Sequence, residues 1–237
     1  MNCKNCNTEV FQNYCPNCGQ PAILKRIDKH YITHEIEHVL HFERGILYTI
    51  RELLTKPGDN VRHYISENRA RLVKPIIFII VTSLIYSLIN GFFHIEDGYI
   101  NYQEIEQTTT GKIFTWVQAH YGYSNIILGI FIAFWVKIFF KNYNYNLFEI
   151  LILLCFVMGI EMLIFACCAL LQGLIKIDIM QYGGIIGIAY FSWAIGQFFD
   201  KKISNYLKGF AAYMLGVVSA AILAVAIGTL IDILIKH

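Results

Sequence analysis

The sequence predicts an all-α polytopic membrane protein of about five transmembrane helices, preceded by a small cysteine-rich module. Hydrophobic residues make up 56% of the 237 positions and charged residues only 15%, a composition unlike that of soluble domains. The apolar residues are gathered in long runs, and four of the seven cysteines lie within the first eighteen residues. We therefore expect a ribbon at 1–22, membrane-proximal helices at 23–74 and a transmembrane bundle at 75–237.

The N-terminal cysteines have the spacing of a metal site. Cys3 and Cys6 form one C-x-x-C pair, and Cys15 and Cys18 form a second, followed by Gly19. Two such turns supply the four thiolates of a closed tetrahedral zinc site. Two disulfides or a redox C-x-x-C are the alternatives, but the doubled motif without a βαβ pattern favours the metal. The sequence predicts one structural Zn²⁺, which supplies the folding energy of this short module.

The apolar runs are long enough to cross a bilayer. A membrane-spanning helix needs about 18 to 20 consecutive, mainly apolar residues. Five runs reach this length, and the third is long enough to tilt or break. The predicted spans are 75–93, 123–140, 147–175, 182–199 and 209–235.

The basic residues predict the orientation of these spans. Eleven of the nineteen Lys and Arg residues precede Pro75. With the N-terminus in the cytosol, only Lys112, Lys176 and Lys236 lie outside, which satisfies the positive-inside rule. No secretory signal pattern opens the chain. We expect a multi-pass membrane protein, with the N-terminus cytoplasmic and the C-terminus outside.

The segment before the first span has an amphipathic pattern. Apolar residues recur at helical spacing from Ile32 to Leu54, and Pro57 with Gly58 is expected to end this helix. A second short helix is predicted from about Asn60 to Leu72. Its basic residues are expected to meet anionic lipid head groups at the membrane surface; they are Arg62, His63, Arg69 and Arg71, with Lys74 beyond them.

One stretch of this segment matches a catalytic motif. His34, Glu35 and His38 spell H-E-x-x-H, in which two histidines bind zinc and the glutamate activates a water. A catalytic site also needs a third ligand, for which His30, His41 and His63 are the nearby candidates. The alternatives are a second, non-catalytic metal site and a solvated histidine face, and the last is the interpretation that we favour.

The order of residues across this region resembles a known family. A ribbon ending in Tyr-Cys-x-x-Cys-Gly-Gln, here residues 14–20, precedes a membrane-proximal stretch. The pattern resembles the bacterial, mainly Bacteroidota, membrane proteins of domain of unknown function family 3667. It covers roughly residues 1–80, and the resemblance implies no activity. A weaker similarity, in architecture alone, is to Yip1-type five-span proteins. The residues of the stretch that carry the resemblance are Arg44, Gly45, Thr49, Leu53, Pro57, Gly58, Tyr64, Arg69, Lys74 and Pro75.

A single carboxyl lies in the middle of the third predicted span. Glu161 is flanked by apolar residues, and an ionisable group at that depth is costly unless it has a partner or water. It is a possible intramembrane functional site for a proton or cation, or else a neutral, hydrogen-bonded packing residue. The candidate polar neighbours are Ser192, Gln197, Ser219 and Thr229.

Small residues recur along the last two spans, where they allow helices to approach closely. Packing within the chain is the main expectation, and a homo-oligomer is the alternative. The fourth span has two sets, one of Gly183 and Gly187 and one of Gly184, Ser192 and Gly196. The fifth span has one set, Ala212, Gly216, Ala220, Ala224 and Gly228.

The sequence favours a non-enzymatic membrane protein. Phosphate-binding glycine loops, a serine nucleophile elbow and a nucleic-acid surface are all missing from it, so no nucleic-acid partner is expected. The main hypothesis is a zinc-ribbon interaction module for an unidentified cytoplasmic protein, on a scaffold anchored in the lipid bilayer. Its alternatives are a small-solute or proton-coupled transporter using Glu161 and a membrane zinc metalloprotease using His34, Glu35 and His38.

Overall fold

The structure, a computed structural model, describes residues 45–69, 71–95 and 108–235. Nearer the N-terminus it describes residues 2–3, 6, 8–9, 11 and 13–18. The chain divides into two compact units, Met1–Glu43 and Arg44–His237. The first contains the paired cysteines, and the second contains the helices.

The described residues of the second unit form eight helices and no strands. The all-α fold predicted from the sequence is therefore confirmed for this unit. The helices are α1 (Ile46–Thr55), α2 (Pro57–Ser66), α3 (Pro75–Phe93), α4 (Thr109–Ala119), α5 (Tyr121–Phe139), α6 (Leu147–Ile175), α7 (Met180–Phe198) and α8 (Ile203–Ile235).

Helix α6 is the centre of the bundle. Of its most apolar stretch 61% is buried, compared with 28% for α3 and 11% for α8, so α6 is enclosed by protein while α8 lies at the periphery. Its start is fixed by a capping box, in which Asn146 accepts from the Glu149 amide and the Glu149 carboxylate accepts from the Asn146 amide. It ends at Ile175, and the C-cap residue Lys176 has a left-handed φ of 60°.

Three helices, α3, α6 and α8, are long and apolar enough to cross a membrane. The apolar part of α5, Tyr123–Phe139, is shorter, and the more polar α7 is not in this group. Five helices do occur near the five predicted spans, but the count of five membrane spans is not confirmed.

Helices α1 and α2 form a hairpin that packs into the bundle. Its turn is closed by Asn60 Nδ2, which donates to the carbonyl of Glu52 at 2.8 Å. Leu53 and Val61 are fully buried, and the ring of Tyr64 meets that of Phe156 edge-on at 5.2 Å. The amphipathic helix predicted to end before Pro57 does end at Thr55. The second helix, however, begins at Pro57 rather than at about Asn60.

The start of α2 is packed against the end of α7. Pro57 is the first residue of α2, a position where the missing N–H of proline costs nothing. The next amide, that of Gly58, donates to Gln197 Oε1 at 3.0 Å, so a side chain of α7 caps the N-terminus of α2. A Cβ on Gly58 would lie 2.3 Å from Phe198 N and 2.4 Å from Gln197 C. The two backbones touch, and only glycine fits between them.

Hydrogen bonds at the same end of the bundle also connect the other helices. Tyr143, between α5 and α6, donates to the carboxylate of Asp200, between α7 and α8, at 2.9 Å. The amide of Val73, just before α3, donates to Thr49 Oγ1 at 3.1 Å. At the opposite end, Asp232 of α8 accepts from the amide of Thr109, at the start of α4, at 3.1 Å. We call the end of the bundle with Tyr143 and Asp200 the α2 end, and the end with Asp232 and Thr109 the far end.

Most of the small residues on the last two helices face neighbouring helices. A Cβ on Gly216 would lie 2.5 Å from Ile132 Cγ1, and one on Gly228 would lie 2.2 Å from Thr110 Oγ1. Gly183 faces Cys168, whereas Gly184 has nothing within 4 Å. The expectation of packing within the chain therefore holds at Gly183, Gly216 and Gly228.

The backbone contact at Gly58 makes a direct prediction. Gly58→Ala should lower the free energy of unfolding by about 1 to 3 kcal/mol, because the added methyl overlaps main-chain atoms of α7 that cannot rotate away. Denaturant unfolding of the purified protein in detergent measures this change.

The matched control is Gly91→Ala on α3. Nothing lies within 4 Å of its Cβ position, so that variant should be neutral or should gain about 0.5 to 1 kcal/mol from the better helix propensity of alanine. Equal effects of the two substitutions would contradict the contact between α2 and α7.

Candidate metal centre and intramembrane carboxyl

The four N-terminal cysteines converge on one point. Asn2 and Glu9 pair in an antiparallel bridge, and the amide of Cys3 donates to the carbonyl of Thr8 at 2.9 Å. This turn encloses the first C-x-x-C pair, Cys3 and Cys6. The sulfurs of Cys3, Cys6, Cys15 and Cys18 all lie within 4.8 Å of one another.

The sulfur separations distinguish a metal site from disulfides. Cys3 Sγ lies 3.5 Å from Cys18 Sγ, and Cys6 Sγ lies 3.5 Å from Cys15 Sγ. A disulfide needs about 2.05 Å, and all seven cysteines are free thiols. Zn–S bonds of about 2.3 Å in a tetrahedron place sulfurs about 3.8 Å apart. The donor set therefore fits a tetrahedral, thiolate-binding metal ion.

One thiol of the cluster is poised to ionise. Side-chain and backbone hydrogen bonds with Thr8 lower the pKa of Cys6 to about 6, and Cys6 Sγ lies 3.3 Å from Thr8 Oγ1. A metal ligand must be the thiolate, so Thr8 favours the form of Cys6 that binds an ion. The sequence analysis did not identify Thr8, which lies between the two motifs and carries no pattern of its own.

The H-E-x-x-H match lies outside the described residues. His34, Glu35 and His38, with His30 and His41, are not described, and the catalytic hypothesis stays a prediction.

The carboxyl of Glu161 is enclosed where α6, α7 and α8 meet. Its side chain is buried, and the hydroxyl of Tyr213 on α8 donates to Glu161 Oε1 at 3.0 Å. On the α7 side the carboxyl packs against Gly187, where a Cβ would lie 3.1 Å from it. The carboxyl thus fills a space that a glycine leaves open, and it receives a hydrogen bond from a third helix.

The polar neighbours predicted for Glu161 have other partners. Ser192 and Thr229 donate to carbonyls of their own helices, and Gln197 accepts from Gly58. Ser219 donates to the carbonyl of Gly216 and accepts from the indole of Trp135. Tyr213 was not among the candidates, because a search for small polar side chains leaves out a tyrosine in an apolar helix.

Charged residues form a latch between α2 and the α7–α8 turn. Asp59 of α2 pairs with Arg62 and with Lys201, the second at 2.7 Å. Arg62 Nη1 also lies 3.4 Å from the carbonyl of Phe198 and donates to it. Burial raises the pKa of Asp59, but hydrogen bonds from Lys201 and Arg62 outweigh this effect, and the pKa lies below its usual value.

Two of the basic residues expected at the lipid surface have acidic partners within the protein. Arg62 belongs to the latch, and Arg71 pairs with Glu52 at 2.5 Å. Periodicity alone does not show these partners, and the contact of both residues with lipid stays a prediction.

The apolar helices and the four-cysteine cluster fit a helical membrane protein with a candidate metal-binding module. Residues 43–87 match the model of a family described as "Protein of unknown function (DUF3667)". The resemblance predicted from the sequence is confirmed over this segment, which covers α1, α2 and most of α3. No curated protein and no solved structure matched the chain.

The matched segment contains the membrane-proximal residues on which the resemblance rests, but not the ribbon residues 14–20. Gly45 has a positive φ of 29° just before α1. Thr49 and Leu53 are buried on the inner face of α1, and Tyr64 on that of α2. Pro57 and Pro75 begin α2 and α3. In this chain the family segment builds the hairpin and its connection to the first long helix.

The cysteine cluster makes a prediction about metal content. Cys15→Ser removes one of four thiolates and should reduce bound zinc from about one ion per chain to almost none, while the protein stays in the membrane fraction. Cys167→Ser, which changes an exposed cysteine outside the cluster, should retain the ion. Elemental analysis of both purified variants measures this. Full zinc content in Cys15→Ser would contradict the site.

The Glu161 contact makes a second prediction. Tyr213→Phe should reduce the free energy of unfolding by about 1 kcal/mol, between the ~0.6 kcal/mol typical of interhelical hydrogen bonds in membranes and the larger cost of an unsatisfied buried acceptor. Tyr182→Phe on α7, where the side chain is exposed, is the control and should change little. The same loss in both variants would argue against a structural bond to Glu161.

Proposed function

We propose that this protein is a non-enzymatic membrane scaffold that presents a zinc ribbon to a cytoplasmic protein partner. The ribbon binds one structural zinc ion through Cys3, Cys6, Cys15 and Cys18. The helical unit holds it at the bacterial cytoplasmic membrane. In this proposal α3, α5, α6, α7 and α8 all cross the bilayer, the N-terminus is cytoplasmic and the C-terminus is outside.

The observation that carries the proposal is the burial of the family segment. Leu53 and Val61 are fully buried, Gly58 touches the backbone of α7, and Tyr190 of α7 donates to the carbonyl of Leu53 at 3.1 Å. The hairpin is packed on its inner side and braced by the Asp59 latch. A hairpin packed in this way suits a rigid anchor for the ribbon better than a path for a substrate.

The ribbon has the properties of an interaction module. Four cysteine ligands fill a tetrahedral shell, so no coordination position remains for a substrate. Two aromatic side chains lie on its surface, with Phe11 84% exposed and Tyr14 63% exposed. Exposed aromatic residues on a small module favour protein contact. We therefore assign partner binding to the surface around Phe11 and Tyr14.

Glu161 has a packing role in this proposal. Its Oε1 accepts from Tyr213, and Gly187 provides the space for its side chain. A neutral carboxyl in this position is compatible with the surrounding hydrocarbon. A transporter would need a polar path that reaches it.

The test is site-specific photo-crosslinking in cells. A photoreactive residue at Phe11 should give a discrete protein adduct, and that adduct should disappear in the Cys15→Ser background because the ribbon unfolds without its metal. A photoreactive residue at Lys141, exposed in the helical unit, should not give the same adduct. If the Phe11 adduct survives in Cys15→Ser, or if Phe11 gives none, the proposal fails.

The protease alternative has its own readout. Wild-type protein with two zinc ions per chain, reduced to one by His34→Ala, would indicate a second metal site. Loss of cellular function in Glu35→Gln with normal expression and zinc content would then identify a catalytic base. We expect one ion in both proteins and no effect of Glu35→Gln.

A further inference from the structure

The acidic residues at the α2 end of the bundle are all engaged. This holds for every acid at that end within the described part of the chain. Each carboxylate is in an ion pair with Lys or Arg, in contact with a histidine, or bonded to a helix cap. The pairs are Glu52 with Arg71, Asp59 with Arg62 and Lys201, Glu67 with His63, Asp200 with Tyr143 and Lys202, and Glu149 with the Asn146 amide.

Several basic residues at the same end have no such partner. Within residues 45–69, 71–95 and 108–235, seven exposed Lys and Arg side chains at this end form no ion pair with another described residue. The surface at the α2 end therefore carries uncompensated positive charge. These residues are Arg51, Lys56, Arg69, Lys74, Lys137, Lys141 and Lys208.

One of these cations lies within an apolar face of α1. Leu47, Arg51 and Leu54 follow one another at spacings of four and three residues, so they share one side of the helix. Leu47 is 77% exposed and Leu54 is 49% exposed, whereas Thr49 and Leu53 on the other side are fully buried. We call the first side the outer face of α1. It is unpartnered by the rest of the described chain.

The outer face lies at the level where the first long helix begins. Thr49 of α1 accepts from the amide of Val73, and Glu52 pairs with Arg71, while α3 starts at Pro75. α3 is one of the three helices long and apolar enough to span a membrane, and the membrane embedding in the proposed function puts the boundary of the bilayer at its first turn. Two leucines with an arginine between them suit that boundary, the leucines toward acyl chains and the guanidinium toward phosphate.

We propose that the outer face of α1, together with the exposed Lys56 that follows the helix, is a docking surface for the head groups of anionic phospholipids, with Arg51 and Lys56 as the phosphate-binding residues. An interfacial helix of this kind binds through apolar contact and through attraction to anionic lipid. The inference relies on the membrane embedding in the proposed function, but not on the ribbon or on its partner. The lipid-docking proposal can therefore fail while the ribbon proposal holds, and the ribbon proposal can fail while lipid docking holds.

The experiment measures the thermal stability of the full-length protein in detergent micelles with added lipid. Phosphatidylglycerol should raise the unfolding temperature more than phosphatidylcholine does. The double variant Arg51→Gln with Lys56→Gln should lose at least half of that difference. The matched control is Lys112→Gln with Lys176→Gln, two exposed lysines on elements of the far end, and it should keep the difference.

Two further measurements identify the ligand. Soluble glycerol phosphate should not replace the lipid, because it lacks the acyl chains that meet Leu47 and Leu54. A photoreactive residue at Leu54 should form adducts with phosphatidylglycerol, and this readout is independent of any stability change in the double variant.

Four results would overturn the proposal. They are equal stabilisation by the two lipids, equal loss in the far-end control, full replacement by glycerol phosphate, and a Leu54 residue that forms adducts with protein or water but not with lipid.

Discussion

The described helical unit depends on the contact between Gly58 and the end of α7. The Gly58 amide donates to Gln197 Oε1 at 3.0 Å, and a Cβ at residue 58 would lie 2.3 Å from the Phe198 nitrogen. A side chain longer than hydrogen would push α2 away from α7. The contacts of Leu53, Val61 and Tyr64 with the bundle all require that α2 stay close.

The packing of α2 against α7 also determines which charged residues form ion pairs. With α2 against α7, Asp59 reaches Lys201, and Arg62 reaches the carbonyl of Phe198. The carboxylate of Asp59 is therefore paired with Arg62 and Lys201 and does not neutralise other basic residues at the α2 end. The cations that remain, among them Arg51 on α1, face outward at the level where α3 begins. A single packing contact thus links the hairpin to the charge of the membrane-proximal surface.

Much of the architecture could be predicted from the sequence. The long helices follow from apolar runs, since a stretch such as Leu147–Ile175 has few alternatives to a helix in hydrocarbon. The cysteine cluster follows from spacing, because each C-x-x-C turn is local. The start of the second helix is less predictable, because a proline such as Pro57 can end one helix and is equally suited to the first turn of the next.

The contacts between distant residues could not be predicted. Glu161 and Tyr213 are 52 positions apart, and Gly58 and Gln197 are 139 apart. Periodicity reports which side of a helix is buried, but not which helix covers it. For the same reason, periodicity does not show that Asp59 binds Arg62 or that Glu52 binds Arg71.

Hydrogen exchange of the full-length protein in lipid nanodiscs tests the central claim most directly. If the hairpin is built into the bundle, the amides of residues 57–66 should exchange as slowly as those at the end of α7, since only opening of the bundle exposes them. Exchange of residues 57–66 at the rate of an exposed surface helix, with α7 still protected, would contradict this account.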